Sequence, residues 1–497
     1  MPAPEFLSAA PDALGAYERA ISAAAAQLVR TLPGQAYSGA SPAELRSILS
    51  GPLLPHEGLG LEATLASAES IIRHSIVVSN ARVAAHLHCP PLIASLAAEV
   101  LLTALNQSMD SFDQAPSATI IEEQLTDWLC ERAGLPSGSG GTFTSGGTQS
   151  NAMGLWLARD TWLATHRAWS VHEQGLPPDA HRFAIMCSDV SHFTVEKAAI
   201  QLGLGTRSVV RIPVDESYRM DVSALRDTVA ALEQEGRIVM AIVATVGSTD
   251  FGSIDPLASI AGIARQCGAW LHADAAYGGA LLFSETRREH IAGLSLADSI
   301  GLDFHKLIWQ PVSCGAFLLR DALHYALLAT HADYLNPERH ADEGIPDLVD
   351  RSLATTRRFD ALKVWMTLRA LGAARLSALI EQVCVLAQQV AALIRTRSEL
   401  ELLHVSPELS CVLFRWNADT QDADALREAD HVTMAIRDDL FTRGEAVIGV
   451  TTVRGRSCLK LTVLNPLATM VDMTELIDLI VTSGRAISAR APAMMGR

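Results

Sequence analysis

Lysine is the first residue type to consider, because its amine can form a Schiff base with a carbonyl group. Only four of the 39 Lys and Arg residues are lysines, at positions 197, 306, 363 and 460. Lys197 and Lys363 fall in helical stretches, and Lys460 alternates with leucines, which predicts a solvent-facing side chain on a strand. Lys306 differs, because the segment 303–306 (DFHK) lies between two apolar strands, where open parallel sheets bind ligands. We therefore expect Lys306 to be the reactive lysine.

Asp274 is the second candidate, because an apolar strand predicted over 270–273 delivers it to the strand end. A carboxylate there can ligate a metal, cap a helix or pair with a cationic ring nitrogen, which makes the ring an electron sink. No second carboxylate or histidine cluster stands around it at metal-ligand spacing, so we predict no metal site. Mostly small residues follow it, and they would let a flat ring lie close to the backbone.

A glycine-rich stretch at 140–151 (GGTFTSGGTQSN) runs into a predicted helix. Backbone N–H groups at such a helix start can hold a phosphate. The stretch matches neither GxxxxGKS/T nor GxGxxG, so nucleotide-binding motifs do not fit, and a plain flexible loop is the alternative. His192 lies between a strand and a helix, where a histidine is either structural or catalytic. The glycine-rich stretch, His192 and Asp274 could converge on one edge of a sheet.

The elements that must position these residues lie between about 119 and 320. Helices there alternate with short strands that are apolar throughout, which predicts a parallel sheet covered by helices on both faces. The predicted strands span 183–187, 208–212, 238–245, 270–273, 299–302 and 315–319. The Gly- and Ser-rich residues 137–148 are predicted as a loop.

Changes in pattern along the chain indicate three parts. They are an N-terminal helical segment (1–115), a large α/β domain (116–375) and a small C-terminal α+β domain (376–497). Asp472, with a glutamate three residues later, is predicted to cap the last helix.

Composition excludes several classes of protein. The chain has 497 residues, of which 49% are hydrophobic and 19% charged, as in a globular protein. A net charge of −16 argues against nucleic acid or an anionic membrane as the main partner. The eight cysteines form no CxxC pair, which favours reduced thiols over a disulfide or zinc framework. No signal-peptide pattern is seen, so a cytoplasmic protein is expected.

A Schiff-base lysine, an aspartate at a strand end, a phosphate-binding turn and a histidine together describe a pyridoxal 5'-phosphate (PLP) site. From about residue 85 to 480 the chain resembles the PLP-dependent group II amino-acid decarboxylases. The resemblance rests on five segments in order, at 144–151, 191–193, 272–277, 303–306 and 355–363. It implies the fold-type I, PLP-dependent transferase-like architecture, with a mostly parallel seven-stranded sheet flanked by helices.

The resemblance also implies roles around the cofactor ring. Lys306 would form the Schiff base with PLP, and Asp274 would pair with the pyridine nitrogen. His192 would stack on one face of the ring and Ala276 would pack on the other. Thr249 would approach the hydroxyl side of the ring.

On the phosphate side, Gly147 and Thr148 match the family's binding turn, and His305 would help to hold the phosphate. Asp303 stands where relatives often carry Asn, so a phosphate contact there needs a compensating donor. Tyr334 falls where relatives carry a mobile-loop tyrosine proposed to protonate the α-carbon. The surrounding polar segment, 331–350, suits a lid that excludes water.

The substrate is a finer expectation. Asp110 aligns where aromatic-type relatives carry Phe, and a pocket carboxylate favours a substrate with a distal ammonium group. This points to a diamino acid such as 2,4-diaminobutyrate or lysine, although Asp110 could equally be a surface or helix-end carboxylate.

Several alternatives stay open. They are a glutamate, cysteine-sulfinate or aromatic amino-acid decarboxylase, an amine-oxidising relative, an aminotransferase, and a PLP-binding scaffold without turnover. The resemblance further implies a homodimer with its active site at the subunit interface.

Overall fold

The computed structural model describes residues 5–404, 406–418, 420 and 422–494. They form two compact units. The large unit lies within Cys89–Gln388 and Ser406–Cys411, and the small unit within Met1–His88, Gln389–Val405 and Val412–Arg497. The small unit therefore draws on both ends of the chain. The three-part division by sequence pattern stays a prediction.

Strands and helices alternate along most of the chain. The strands are β1 (Val83–Ala84), β2 (Gly140–Thr144), β3 (Phe183–Ser188), β4 (Val209–Ile212), β5 (Ile238–Thr245), β6 (Trp270–Ala275), β7 (Ser299–Asp303), β8 (Gly315–Leu319), β9 (Leu400–Leu402), β10 (Cys411–Trp416), β11 (Val447–Val453) and β12 (Arg456–Thr462). The α-helices are α1 (Pro11–Thr31), α2 (Pro42–Ile48), α3 (Leu61–Ser67), α4 (Glu69–Arg73), α5 (Ile93–Leu105), α6 (Pro116–Ala133), α7 (Gly147–Arg167), α8 (Val171–Gln174), α9 (Thr194–Gln201), α10 (Val222–Gln234), α11 (Leu257–Cys267), α12 (Glu338–Glu343), α13 (Ala361–Ile394), α14 (Ala423–Thr442) and α15 (Met470–Met494). Short 3₁₀ helices lie at Phe112–Gln114, Ala180–Arg182, Thr206–Ser208, Gly278–Phe283, Arg288–Leu296, Ala322–Leu327 and Leu348–Arg351.

The large unit is built on a seven-stranded sheet with the order β2-β8-β7-β6-β5-β3-β4. Strands β3 to β7 pair in parallel, whereas β8 runs antiparallel to both β7 and β2. The parallel strands are separated by helices, as the alternating pattern predicted. The mostly parallel α/β fold is confirmed. The strand β6 extends two residues beyond the prediction and therefore includes Asp274.

The first strand of this sheet, β2, lies within the stretch 137–148 that was predicted as a loop, and for these five residues the prediction is wrong. Its residues are all buried, although two of them are glycines. A Cβ at Gly141 would come within 2.8 Å of both Leu318 and Thr126. Glycine is therefore required here by close packing between β8 and α6 rather than by flexibility.

The helix α13 is interrupted at Gly372, which has a φ of 71°. Among the described helices, α13 is long and apolar enough to cross a membrane. However, 56% of its most apolar 18-residue window is buried inside the protein, and core helices have the same length and composition.

The small unit contains a five-stranded sheet with the order β1-β11-β12-β10-β9. Lys460 on β12 is only 7% exposed, so the prediction that it faces solvent is wrong. It lies opposite Gly449 on β11, and a Cβ at that glycine would stand 3.3 Å from the Cε of Lys460. The glycine leaves room for the lysine stem to lie along the sheet.

The cap of α15 also differs from the prediction by a few residues. Thr469 precedes the helix and exchanges hydrogen bonds with Asp472, whose Oδ2 accepts from the Thr469 N–H at 2.8 Å. Thr469 is thus the N-cap and Asp472 its reciprocal partner, in the manner of a capping box.

Candidate active site

A cavity of about 320 Å³ opens at the ends of the parallel strands in the large unit. It lies at the carboxyl ends of β5, β6 and β7 and beside the start of α7, the edge at which open α/β sheets bind ligands. All nine residues predicted to contact the cofactor line it: Gly147, Thr148, His192, Thr249, Asp274, Ala276, Asp303, His305 and Lys306.

Lys306 follows the end of β7 by three residues, and its side chain is 19% exposed. Its Nζ lies 2.9 Å from Oδ2 of Asp303, the last residue of that strand. The Lys306 carbonyl accepts a hydrogen bond from the Cys89 thiol at 3.0 Å, which fixes the backbone. The amine therefore enters the cavity from an anchored turn with one carboxylate partner.

Asp303 lies beside the turn that precedes α7. A Cβ at Gly146 would stand 2.8 Å from His305 Cε1 and 3.3 Å from Asp303 Oδ1. Within the described chain that oxygen is buried without a hydrogen-bond partner. His305 Nδ1 lies 2.8 Å from the Cys314 carbonyl oxygen, which leaves Nε2 directed away from the backbone. The unpartnered Asp303 oxygen thus lies beside the glycine turn at the start of α7.

Asp274 is a buried carboxylate with neutral donors. The Ala276 N–H donates to its Oδ1 at 3.2 Å, and the Asn151 amide donates to its Oδ2 at 2.8 Å. It is 6% exposed, and no basic side chain of the described residues forms an ion pair with it. A buried carboxylate without an opposite charge is costly, so a cationic group of a ligand would stabilise it.

His192 follows β3 and is partly buried. Its Nδ1 lies 2.9 Å from the Thr194 hydroxyl. Burial lowers the pKa of His192, and the negative charge of Asp274 opposes that shift. A largely neutral imidazole at this position can lie against an aromatic ring without a charge cost.

The helix α7 begins at Gly147, after Gly146 with a φ of 134°. Gly147 and Thr148 of its first turn line the cavity, and the unpaired N–H groups at a helix start are a usual site for a phosphate. A Cβ at Gly147 would stand 3.1 Å from Cβ of Ala276, so glycine lets the helix start approach the residue that follows β6.

Two predicted site residues do not line this cavity. Tyr334 is 82% exposed and Asp110 is 5% exposed. Asp110 Oδ1 accepts from the Ser111 N–H at 3.1 Å, and the Asp110 carbonyl accepts from the Val349 N–H at 2.9 Å. Their roles in proton transfer and substrate choice stay predictions.

Sequence reasoning missed Asn151 and His272. Asn151 lines the cavity, and His272 lies behind it with its Nε2 2.9 Å from Asn151 Oδ1. Two spacings could have indicated them. Asn151 is four residues after Gly147 on a helix, and His272 is two residues before Asp274 on a strand, so each shares a face with a predicted site residue.

These features fit the PLP expected from the resemblance. Lys306 offers an amine, Asp274 a buried anion for a protonated ring nitrogen, and the start of α7 a place for the phosphate. In the described residues there is no group of three or more Cys, His, Asp or Glu that could hold a metal.

Comparisons with known proteins identify the family of this chain. The model of the pyridoxal-dependent decarboxylase conserved domain matches residues 43–417. The chain is 43% identical over 460 residues to an L-2,4-diaminobutyrate decarboxylase of Acinetobacter baumannii, covering 91% of this chain and 89% of the relative. It is 42% identical to one of Rhizobium meliloti (strain 1021), covering 91% and 88%.

A solved structure is also similar over the whole chain. It is the glutamate decarboxylase domain of diaminobutyrate-pyruvate transaminase and L-2,4-diaminobutyrate decarboxylase from Vibrio parahaemolyticus. The TM-score is 0.87 at 36% identity, covering 97% of this chain and 98% of that one. The chain therefore belongs to the pyridoxal-dependent decarboxylase family and is a PLP-dependent amino-acid decarboxylase.

Proposed function

We propose that this enzyme decarboxylates L-2,4-diaminobutyrate to 1,3-diaminopropane and CO2. The observation that carries the proposal is the identity of 43% and 42%, across 91% of the chain, to two L-2,4-diaminobutyrate decarboxylases. L-Lysine, which also carries a distal ammonium group, is the second diamino acid to test.

In the proposed site, the Lys306 amine would hold PLP, and the cavity leaves that amine accessible to a substrate. When bound, PLP supplies an electron-withdrawing ring that takes up the electron pair left by the departing CO2. Asp274 keeps the ring nitrogen protonated, and its burial strengthens that interaction. His192 and Ala276 hold the ring between them, and Thr249 faces its hydroxyl side.

The phosphate is proposed to lie at the start of α7, against Gly147 and Thr148, with His305 as a further donor. Asp303 already has a compensating cation, because Lys306 Nζ is 2.9 Å away. His305 is the next basic group beside Asp303, with its Nε2 3.7 Å from Oδ2. This supports Asp303 as a carboxylate that orients the lysine and histidine.

A proton must replace CO2 on the α-carbon. We assign its delivery to His192, which lines the cavity, or to Tyr334, which lies on the polar segment 331–350. Tyr334 is 82% exposed, so a role for it requires that the segment closes over the substrate and excludes water.

Substrate choice and assembly are linked in the proposal. The enzyme would act as a homodimer with its active site at the subunit interface, and Asp110 would serve the site of the partner subunit by binding the distal ammonium group. Light scattering tests the dimer. Mixed dimers of a Lys306→Ala chain and an Asp110→Ala chain test the sharing. If each site combines Lys306 of one chain with Asp110 of the other, one of the two sites in a mixed dimer is intact and activity should return.

A cytoplasmic location is also proposed. All eight cysteines are free thiols, and seven of them are buried, which suits a reducing compartment.

One experiment tests the substrate. The PLP-loaded enzyme is incubated with L-2,4-diaminobutyrate, L-lysine, L-ornithine, L-glutamate, cysteine sulfinate and aromatic amino acids. CO2 is measured, and products are identified by mass spectrometry. The expected result is 1,3-diaminopropane formed with the highest kcat/KM. A higher kcat/KM for an acidic or aromatic amino acid would overturn the assignment, and a keto acid or aldehyde would indicate a different reaction.

A further inference from the structure

A chain of hydrogen bonds runs behind the cavity and ends on Asp274. Trp270 Nε1 donates to Ser299 Oγ at 2.8 Å, and Ser299 Oγ lies 2.8 Å from His272 Nδ1. His272 Nε2 lies 2.9 Å from Asn151 Oδ1, and Asn151 Nδ2 lies 2.8 Å from Asp274 Oδ2. All five side chains are buried, with exposures between 0% and 8%. We call Trp270, Ser299, His272 and Asn151 the relay.

The direction of the hydrogen bonds in the relay follows from its Asp274 end. An ionised Asp274 only accepts, so the Asn151 amide nitrogen must face it and the Asn151 oxygen must face His272. His272 then carries its proton on Nε2, and its Nδ1 accepts from Ser299. At the other end Trp270 only donates, so Ser299 accepts from it, and the Ser299 hydroxyl proton remains available for His272 Nδ1. The Trp270 end is therefore compatible with the assignment that Asp274 gives.

This direction has an electrostatic consequence. Each relay group turns its donor toward Asp274 and its acceptor away from it, so the dipoles add in stabilising the carboxylate charge. His272 contributes as a neutral ring, because burial lowers its pKa to about 4.

A branch joins the relay to His192. Asn151 Nδ2 also lies 2.8 Å from Thr194 Oγ1, and that hydroxyl lies 2.9 Å from His192 Nδ1. Because the Thr194 oxygen accepts from Asn151, its own proton is available for His192 Nδ1. His192 then carries its proton on Nε2, the nitrogen that is not tied to Thr194.

We propose that Asn151 is a positioning residue that sets both the orientation of Asp274 and the tautomer of His192, while His272 fixes the orientation of the Asn151 amide. The Asn151 amide nitrogen thereby links two groups of the proposed site. One is the Asp274 carboxylate, proposed to face the ring nitrogen, and the other is the His192 imidazole, proposed to lie against the ring. The proposal rests on those two roles and is independent of which amino acid is the substrate.

The first test uses Asn151→Leu, which keeps the approximate shape and removes both donor hydrogens. It should reduce kcat about 10- to 100-fold and weaken PLP binding, because a donor to a buried charge is lost. It should also change the relative intensities of the absorbance bands of bound PLP, which report on the protonation of the ring. The matched control is Thr433→Val in the small unit, which removes a comparably buried hydroxyl that donates to Ala429 O at 2.7 Å. The control should leave the spectrum unchanged.

Three further variants separate the relay from its branch. His272→Gln retains one donor for Asn151 and should restore most of the activity and spectrum that His272→Leu loses. Thr194→Val breaks only the branch, so kcat should fall while the spectrum stays as in the parent enzyme. The His272 and Thr194 variants also test the proposal if Asn151→Leu does not fold.

Three results would overturn the proposal: a folded Asn151→Leu enzyme with the parent spectrum and PLP affinity, a His272→Gln enzyme no better than His272→Leu, or a Thr194→Val enzyme with unchanged kcat. The spectrum and PLP affinity are measured without substrate. A different preferred amino acid would therefore disprove the proposed substrate and leave this inference intact.

Discussion

The large unit contains two Asp–Lys pairs with the same spacing, and their surroundings differ. Lys306 lies 2.9 Å from Asp303, and Lys363 lies 2.8 Å from Asp360, each three residues earlier. The side chain of Lys306 is 19% exposed in a cavity, whereas that of Lys363 is fully buried.

Lys363 is surrounded by acceptors on several sides. Besides Asp360, its Nζ lies 3.3 Å from Glu99 and donates to the carbonyls of Pro311 and Ser313 at 3.1 and 2.9 Å. These acceptors surround an amine that is fully buried, so a carbonyl compound cannot approach it to form a Schiff base. The comparison shows that the same Asp–Lys spacing gives a buried structural cation at Lys363 and an accessible amine at Lys306.

The largest expected effect separates the two lysines. Lys306→Ala should reduce decarboxylation to background, because the enzyme loses its covalent hold on PLP. In the parent enzyme, borohydride reduction followed by peptide mapping should place PLP on Lys306. PLP found on Lys363 instead would reverse the comparison.

The next effect concerns the buried anion of the site. Asp274→Asn should lower kcat about 10³-fold, as expected when an electrostatic stabiliser is removed. The melting temperature of the apoenzyme should not fall, because a buried carboxylate without an opposite charge is costly. Near-normal turnover by this variant would show that Asp274 does not face the ring nitrogen.

Lys363→Met should act on stability instead. Removing one partner of a buried ion pair costs about 3–5 kcal/mol. Urea unfolding should report that loss, while the kcat of the folded fraction stays near that of the parent. The double variant Lys363→Met, Asp360→Leu should recover part of the loss, because it also removes one stranded carboxylate. A large fall in kcat with unchanged stability would contradict a structural role.

Much of the frame around the site could be predicted from local pattern. The bounds of β5 and β8 match the prediction, because each is an apolar run. The strand β2 could not be found this way. Its residues are mostly Gly and Thr, and its identity as a strand depends on pairing with β8, which is distant in the sequence.

The site also contains some residues that the sequence could predict and others that it could not. Residue types and strand ends predicted Lys306, Asp274, His192 and the glycine-rich stretch, and the family resemblance supplied the other predicted cofactor contacts. All nine of these residues line one cavity.

Neither the residue types and strand ends nor the resemblance predicted the relay, because Asn151 and His272 come from different elements and meet only in the folded chain. The burial of Lys460 was missed for the same reason, since it depends on Gly449 of the adjacent strand.

The next prediction concerns substrate choice, and its expected effect on kcat/KM is smaller than the effects above. Asp110→Asn should reduce kcat/KM for L-2,4-diaminobutyrate about 10-fold or more, since a charge-assisted contact to the distal ammonium is lost. The kcat/KM for an aromatic amino acid should not fall. The ratio of the two values, measured with the same enzyme preparation, is the deciding quantity. An unchanged ratio would remove Asp110 from the site and leave it as a buried structural carboxylate.

The smallest effect is on acid stability and concerns His272. Burial lowers its pKa to about 4, against an ordinary value of 6.5. Between these values the unfolded chain binds more protons than the folded one, so stability falls as pH decreases from 6.5 toward 4. His272→Gln cannot titrate, and the loss of stability between pH 7 and 5 should be smaller by on the order of 1–2 kcal/mol. Urea unfolding of both enzymes at the two pH values measures this difference. Equal losses would mean that the pKa of His272 is the same in the folded and unfolded chains, and the neutral ring that accepts from Ser299 at Nδ1 would then lose its support.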